Sequence, residues 1–239
     1  MKRPGERPVA VLFDVFGTLV DWRGSLIDEL SAFGARRGIP CDWAALVDAW
    51  RGNYAPSMDR VRRGAQPWTK LDDLHRASLD ELCEDFGLEA LFEADRRWMT
   101  LGWHRLRPWP DTVPGLSRLK QVAIIGPLSN GNLSLQVDLA KSAGLPWDVT
   151  FGSDIFRHYK PDPGVYLGAC ALLDLRPDQV MLAAAHNSDL AAARALGLRT
   201  GFIPRPTEYG PAQTRDVRPE QAWDVVAESV EQLAAALGG

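Results

Sequence analysis

Apolar residues run without a polar break from Val9 to Phe13 and stop at Asp14. A continuous run of this kind, rich in β-branched residues, predicts a strand buried on both faces. Directly afterwards the period changes. Segments 25–37, 42–63, 71–86 and 91–105 carry apolar residues at three- and four-residue spacings, which predicts four helices punctuated at Gly38-Ile39-Pro40, Gly64 to Pro67 and Gly87. No strand pattern occurs between 21 and 107.

From Pro108 strands and helices alternate again. Strands are predicted over 122–125, 149–151, 180–185, 200–203 and 223–226, and helices up to about 143, over 162–173, 188–196 and 230–237. Asp162 is a good N-cap with Pro163 at the first helical position, and Gly197 is a C-terminal stop. A crossover between parallel strands needs only one helix, so four helices in succession predict an inserted helical cap. The expected fold class is α/β: a doubly wound, Rossmann-like parallel sheet formed by 1–20 and 108–239, with a helical cap over 21–107.

Composition narrows the function classes. Of 239 residues 46% are hydrophobic, enough for a sizeable core. A net charge of -4 and a pI near 5.6 argue against nucleic acid or an anionic membrane as the main partner, while leaving room for individually placed cations in a pocket. The cysteines Cys41, Cys83 and Cys170 are far apart and lack C-x-x-C spacing, which suggests neither a disulfide framework nor a zinc site. The charged start, residues 1–8, is followed by too short an apolar run for a signal peptide, and no run approaches the roughly 20 residues that span a bilayer. A cytoplasmic protein is expected.

Asp14 is the anomaly in this pattern. A carboxylate at the end of a buried strand costs on the order of several kcal/mol of desolvation unless compensated. Gly17 and Thr18 supply a tight loop with free amides, and ligands of doubly wound sheets bind at the carboxyl ends of the strands. Alone, Asp14 would read equally well as a turn cap. Three further strand ends deliver polar groups: Ser129 with Asn130, Lys160, and His186-Asn187-Ser188-Asp189. A carboxylate, a hydroxyl, an amide, an ammonium and a second carboxylate at one sheet edge make an anion-handling, nucleophilic site.

Asp14-Val15-Phe16-Gly17-Thr18-Leu19, Leu128-Ser129-Asn130-Gly131, Lys160-Pro161-Asp162 and a last motif ending at Asp189 resemble, in that order, the haloacid dehalogenase superfamily. Most members are magnesium-dependent phosphatases, with an acid two residues after the nucleophile and an acidic pair spaced by four in the last motif. Here those places hold Phe16 and Ala185. Magnesium prefers several oxygen ligands, so losing both carboxylates argues against phosphoryl transfer. The same departures resemble the L-2-haloacid dehalogenase branch, in which the aspartate displaces halide from carbon and the resulting ester is hydrolysed, with no metal and no cofactor.

The resemblance implies roles residue by residue. Asp14 is the nucleophile, kept ionised by Lys160. Thr18 and Ser129 orient carboxylate oxygens and the substrate carboxylate, and Asn130 offers its amide to the departing halide. Asp189 positions Lys160 or activates the hydrolytic water. Tyr166, six residues after Lys160, matches a tyrosine of the branch. Arg51, in the pair Trp50-Arg51 of the second cap helix, grips a carboxylate or a halide through several donors. His186 stands where the better-known pattern carries asparagine, and Ala184 where it carries serine. The histidine assists ester hydrolysis, contacts halide, or hydrogen-bonds within its loop. Phe16, Trp22 and Trp109 are candidates for a dry aromatic wall, and an indole N–H can donate to halide. Residues 205–210 read as a surface loop. The reaction implied is metal-independent conversion of short (S)-2-haloalkanoates, haloacetates included, to 2-hydroxy acids with inversion. The competing readings are a phosphatase of the superfamily and a non-catalytic binding protein. Oligomeric state is left open, a homodimer among the options.

Overall fold

The computed structural model describes residues 7–239; the opening segment on which the leader expectation partly rests, residues 1–6, lies outside the described residues. Strand β1 (Ala10–Phe13) leads into a short β2 (Val20–Asp21), five helices α1 (Trp22–Arg37), α2 (Trp43–Gly52), α3 (Tyr54–Arg62), α4 (Leu71–Asp85) and α5 (Glu93–Thr100), a 3-10 turn (Leu101–His104) and β3 (Arg107–Pro108). The remainder is α6 (Thr112–Leu119), β4 (Ile124–Pro127), α7 (Leu133–Ala143), α8 (Ser153–Phe156), α9 (Pro163–Leu172), β5 (Val180–Ala184), α10 (Asn187–Ala195), β6 (Arg199–Phe202), β7 (Val225–Val226) and α11 (Val230–Ala236).

Among the described residues the main sheet runs β4-β1-β5-β6-β7, all parallel, so β1 lies in its interior with Leu12 opposite Gly126 on one side and Leu182 on the other. Side chains alternate across a strand, and β1 divides two cores accordingly. Val11 and Phe13 pack with Leu116 and Leu119 of α6, Leu135 of α7 and Val230 and Leu233 of α11. Ala10 and Leu12 pack with Val165, Tyr166 and Ala169 of α9 and Leu190 and Ala193 of α10. Helices on both faces explain why the strand reads as an unbroken apolar run. The arrangement is the expected parallel sheet with an inserted helical cap.

Several elements differ from the sequence reading. The single helix expected over 42–63 breaks after Gly52, because Pro56 has no N–H for the Gly52 carbonyl and its ring crowds that group. The helix expected over 91–105 shortens to α5 and tightens into the 3-10 turn. Residues 149–151 contribute only one bridge, Leu128 to Phe151. Helix α6 is hidden in the sequence by Pro114 and Gly115. The proline sits in the first turn, where a missing N–H costs nothing, and a Cβ on Gly115 would lie 2.5 Å from the Val230 backbone of α11. The antiparallel pair β2–β3 joins the two chain segments entering and leaving the cap, with Val20 opposite Pro108 and Asp21 opposite Arg107. Two residues per strand are too few to leave a periodic signal.

The cap is tied down over the carboxyl edge of the sheet. Arg62 Nη2 donates to the Lys160 carbonyl at 2.9 Å and Tyr159 OH to the Thr69 carbonyl at 2.6 Å. His104 bridges Asp72 of α4 at 3.1 Å and Asp138 of α7 at 2.8 Å. No described helix is long and apolar enough to cross a membrane.

Candidate active site

A cleft of about 570 Å³ opens between the cap and the ends of β1 and β5, and Asp14 lies in its wall. The carboxylate is held on both oxygens. Lys160 Nζ donates to Oδ1 at 2.9 Å; Thr18 Oγ1 donates to Oδ2 at 2.8 Å, and His186 Nδ1 lies 3.1 Å from the same oxygen. The Thr18 hydroxyl points its proton at Asp14 because its lone pair is taken by the Ala185 N–H at 2.9 Å. Burial alone would raise the Asp14 carboxyl, but the Lys160 ammonium and the His186 ring more than offset it and hold the group far below the usual carboxylate range. Asp14 is therefore an ionised, almost fully buried carboxylate at the cleft wall.

Lys160 also donates to Asp189, whose second oxygen accepts from Tyr166 OH at 2.6 Å. Burial would depress the lysine, yet the two carboxylates raise it above its ordinary value; burial and Asp189 together keep the Tyr166 phenol protonated. Asp189 thus holds the Lys160 ammonium against Asp14. Asn130 is fixed by its Oδ1, which accepts from the Lys160 N–H at 2.7 Å.

Across the cleft the Arg51 guanidinium is boxed by aromatic rings, 4.1 Å from the Tyr54 centroid, 5.2 Å from Trp22 and 6.0 Å from Phe16. Its Nη1 is buried without a hydrogen-bond partner. Burial would lower the guanidinium, but Tyr209, Tyr54 and Glu208 keep it raised, so it stays charged. A charged guanidinium that lines a cleft and keeps one buried donor unsatisfied has the chemistry to take up an anion.

Three expected roles are altered. Ser129 is buried beneath the cleft, and its Oγ accepts from the Gly131 N–H at 3.1 Å, a local turn bond that a serine two residues back makes readily. It shapes the loop that carries Asn130 and does not reach the Asp14 carboxylate. Trp109 does not line the cleft: its Nε1 donates to the Gly17 carbonyl at 2.9 Å, satisfying a loop carbonyl left over by the tight turn. Trp22 does line the cleft, but its N–H is spent on Glu208 at 3.0 Å and is not free for halide. Phe16 stands edge-on to Trp103 and Tyr54 at 5.7 and 6.3 Å and forms the apolar floor.

The segment read as a surface loop supplies a residue that the sequence reading missed. Glu208 is 1% exposed and its Oε2 lies 2.9 Å from His186 Nε2. Gly17, at φ +82°, makes room for it, since a Cβ there would fall 2.1 Å from the Glu208 carboxyl. Nothing in a loop of mixed polar residues announces a buried acid. Tyr54 was legible in principle, three residues after Arg51 on a helical spacing.

The residues present do not fit the divalent cation that phosphatases of this superfamily use. A hard cation wants several free oxygens, but Asp14 and Asp189 both hold Lys160, Glu208 is engaged by Trp22 and His186, and the two further places are the apolar Phe16 and Ala185. Among the described residues no cluster of three or more ligating side chains could hold a metal.

Comparison with known proteins agrees with this geometry. The haloacid dehalogenase-like hydrolases match over residues 9–197. The (S)-2-haloacid dehalogenase 1 of Pseudomonas sp. (strain CBS-3) is 30% identical over 222 residues, 86% of this chain and 90% of that protein. The crystal structure of an L-2-haloacid dehalogenase is 56% identical and superposes with a TM-score of 0.94, covering 98% of this chain and 99% of the other. That of a defluorinating L-2-haloacid dehalogenase is 48% identical with a TM-score of 0.96, covering 100% of this chain and 99% of the other.

Proposed function

The chain belongs to the haloacid dehalogenase-like hydrolases, and from that premise we infer that it is an (S)-2-haloacid dehalogenase, a hydrolase acting on carbon–halide bonds. The observation that carries the reading is the pairing, across one cleft, of an ionised Asp14 with the unsatisfied Arg51 guanidinium. One group attacks and the other receives an anion. A phosphate ester would need an acid for its leaving oxygen, and the position that should carry it is Phe16, buried among rings. A halide ion leaves without a proton.

In the mechanism proposed, Asp14 displaces halide from C2 of a short (S)-2-haloalkanoate, inverting that carbon and forming an aspartyl ester. Arg51 and Asn130 hold the anionic ends of the substrate as charge moves onto the halogen. Water then attacks the aspartyl carbonyl, so the 2-hydroxy acid leaves with an oxygen from Asp14 and the stereocentre is untouched. Lys160, fixed by Asp189 and Tyr166, keeps the nucleophile charged, and the aromatic floor excludes competing water. No metal takes part. Haloacetates, fluoroacetate among them, are proposed as substrates; the 48% identity to a defluorinating enzyme supports that range.

The test is halide release from (S)-2-chloropropionate and fluoroacetate in the presence of a chelator, with the Asp14 peptide examined by mass spectrometry. Turnover that persists with the chelator, and an ester on Asp14, are expected. Absence of halide from every short haloacid with a folded protein overturns the reading.

A further inference from the structure

His186 lies between two carboxylates. Its Nδ1 is 3.1 Å from Asp14 Oδ2 and its Nε2 is 2.9 Å from Glu208 Oε2. Both partners act as acceptors in their other contacts: Thr18 donates to Asp14 Oδ2, Lys160 to Oδ1, and Trp22 Nε1 to Glu208 Oε1. An ionised carboxylate only accepts, so both ring nitrogens must carry protons and the ring is an imidazolium. Its basicity agrees: burial would lower it, but Glu208 and Asp14 raise it well above the ordinary histidine value.

The two oxygens of Asp14 are not equivalent. Oδ2 is held by two donors, the Thr18 hydroxyl and the His186 Nδ1–H, whereas Oδ1 is held by Lys160. An oxygen with two fixed donors is the poorer nucleophile and the better carbonyl oxygen. We propose that Thr18 and His186 form the oxyanion site for ester hydrolysis, with Glu208 as the positioning residue that keeps His186 doubly protonated and aimed at Oδ2. The inference rests on the dehalogenase reading above and concerns only its second half.

The electron and proton balance is as follows. Oδ1 attacks C2 and the carbon–halogen pair leaves as halide, giving a neutral ester whose carbonyl is Oδ2. A water lone pair then bonds to Cγ and the carbonyl π pair moves onto Oδ2, where the imidazolium and the threonine hydroxyl receive the charge. Collapse breaks the Cγ–Oδ1 bond. The departing oxygen takes up one proton, two are lost by the attacking water, and one proton net is released with the regenerated carboxylate.

Alkylation removes the charge of Asp14, and from then on Glu208 alone of the two flanking carboxylates remains to hold the imidazolium. Arg51 lies close enough to act electrostatically on Glu208, and Lys160 stands on the far side of Asp14, so both cations oppose a second positive charge here. Without the Glu208 charge a buried ring would become neutral. A neutral ring that donates from Nε2 has only a lone pair at Nδ1, and the oxyanion donor is lost.

The test separates the two halves of the reaction in Glu208→Gln with (S)-2-chloropropionate. Removing one oxyanion donor typically costs about 10²- to 10³-fold in turnover. We expect a halide burst of about one equivalent per site, close in rate to wild type, then turnover slowed by about 10²-fold, with the ester accumulating on the Asp14 peptide. Glu208→Asp should restore part of the turnover and reduce the accumulation in proportion. If Glu208→Gln does not fold, His186→Leu/Glu208→Gln removes the cation and its counter-charge together and should show the same burst. A variant in which both phases slow by the same factor and no ester accumulates overturns the proposal while leaving the dehalogenase reading intact. Wild-type protein that releases no halide overturns both.

Discussion

Replacing Arg51 by lysine keeps a positive charge but removes the planar fork of donors. In the structure the guanidinium lies 4.1 Å from the Tyr54 centroid, lines the cleft and has a buried Nη1 without a hydrogen-bond partner. A charge-assisted hydrogen bond is worth about 1.5–3 kcal/mol, and a cation–π contact, counted at its exposed-site lower bound, about 0.5–1 kcal/mol. Losing both gives about 2–4 kcal/mol, or about 30- to 1,000-fold in kcat/KM at 1.4 kcal/mol per decade. The assay is steady-state halide release from (S)-2-chloropropionate and (S)-2-bromopropionate, with folding checked by circular dichroism. If the guanidinium meets the departing halide, kcat falls with kcat/KM and more steeply for the chloride; if it only holds the carboxylate, KM rises equally for both. A variant within about threefold of wild type on both substrates would refute the assignment of Arg51 as the anion receptor.

Asp14→Asn removes the nucleophile, and first-turnover halide release should drop by at least about 10³-fold with no mass added to the active-site peptide, as read by quench-flow and mass spectrometry. Lys160→Met leaves Asp14 and Asp189 facing each other without their shared cation; breaking a buried pair costs about 3–5 kcal/mol, measurable by urea denaturation at neutral pH. His104 joins the cap to α7: burial would lower it, but Asp72 and Asp138 raise it, so its contribution is fully present below the ordinary histidine value of 6.5 and fades as pH rises through the folded value. The Tm gap between wild type and His104→Gln should therefore be wide at pH 5.5 and narrow at pH 9; a gap that is flat with pH contradicts the pairing.

How far the sequence could be read depended on how each residue is held. The core strands were legible because an interior parallel strand leaves an unbroken apolar run, and β1 with Asp14 at its end is such a case. The break at Gly52 and helix α6 were not, because a proline signals opposite things inside a helix and in its first turn. The hinge pair β2–β3 is built from backbone hydrogen bonds between segments far apart in sequence, and two residues per strand carry no period. Asp14, Thr18 and Asn130 follow the ends of β1 and β4, Tyr166 and Asp189 lie near the starts of α9 and α10, and topology sends these to one edge, whereas Lys160, expected at a strand end, comes from the loop between α8 and α9.

Glu208 was illegible for a physical reason that also bears on the chemistry. Its loop has no regular pattern, and its burial depends on two distant features: the missing side chain of Gly17 and the indole N–H of Trp22. Both lie beside the nucleophile. A phosphatase of this superfamily would place an acid at position 16 and another at 185, both turned toward a metal and a leaving oxygen. In this chain those positions are apolar, and the carboxylate that does approach the nucleophile comes from the far end of the chain with a histidine between. The acid is thereby withheld from the leaving group, where halide has no use for it. It acts instead on the oxygen that must bear charge when water attacks. The substitutions that remove phosphoryl-transfer chemistry and the buried Glu208–His186 pair are thus two parts of one adaptation: the first suits the displacement of halide, and the second suits the hydrolysis that must follow.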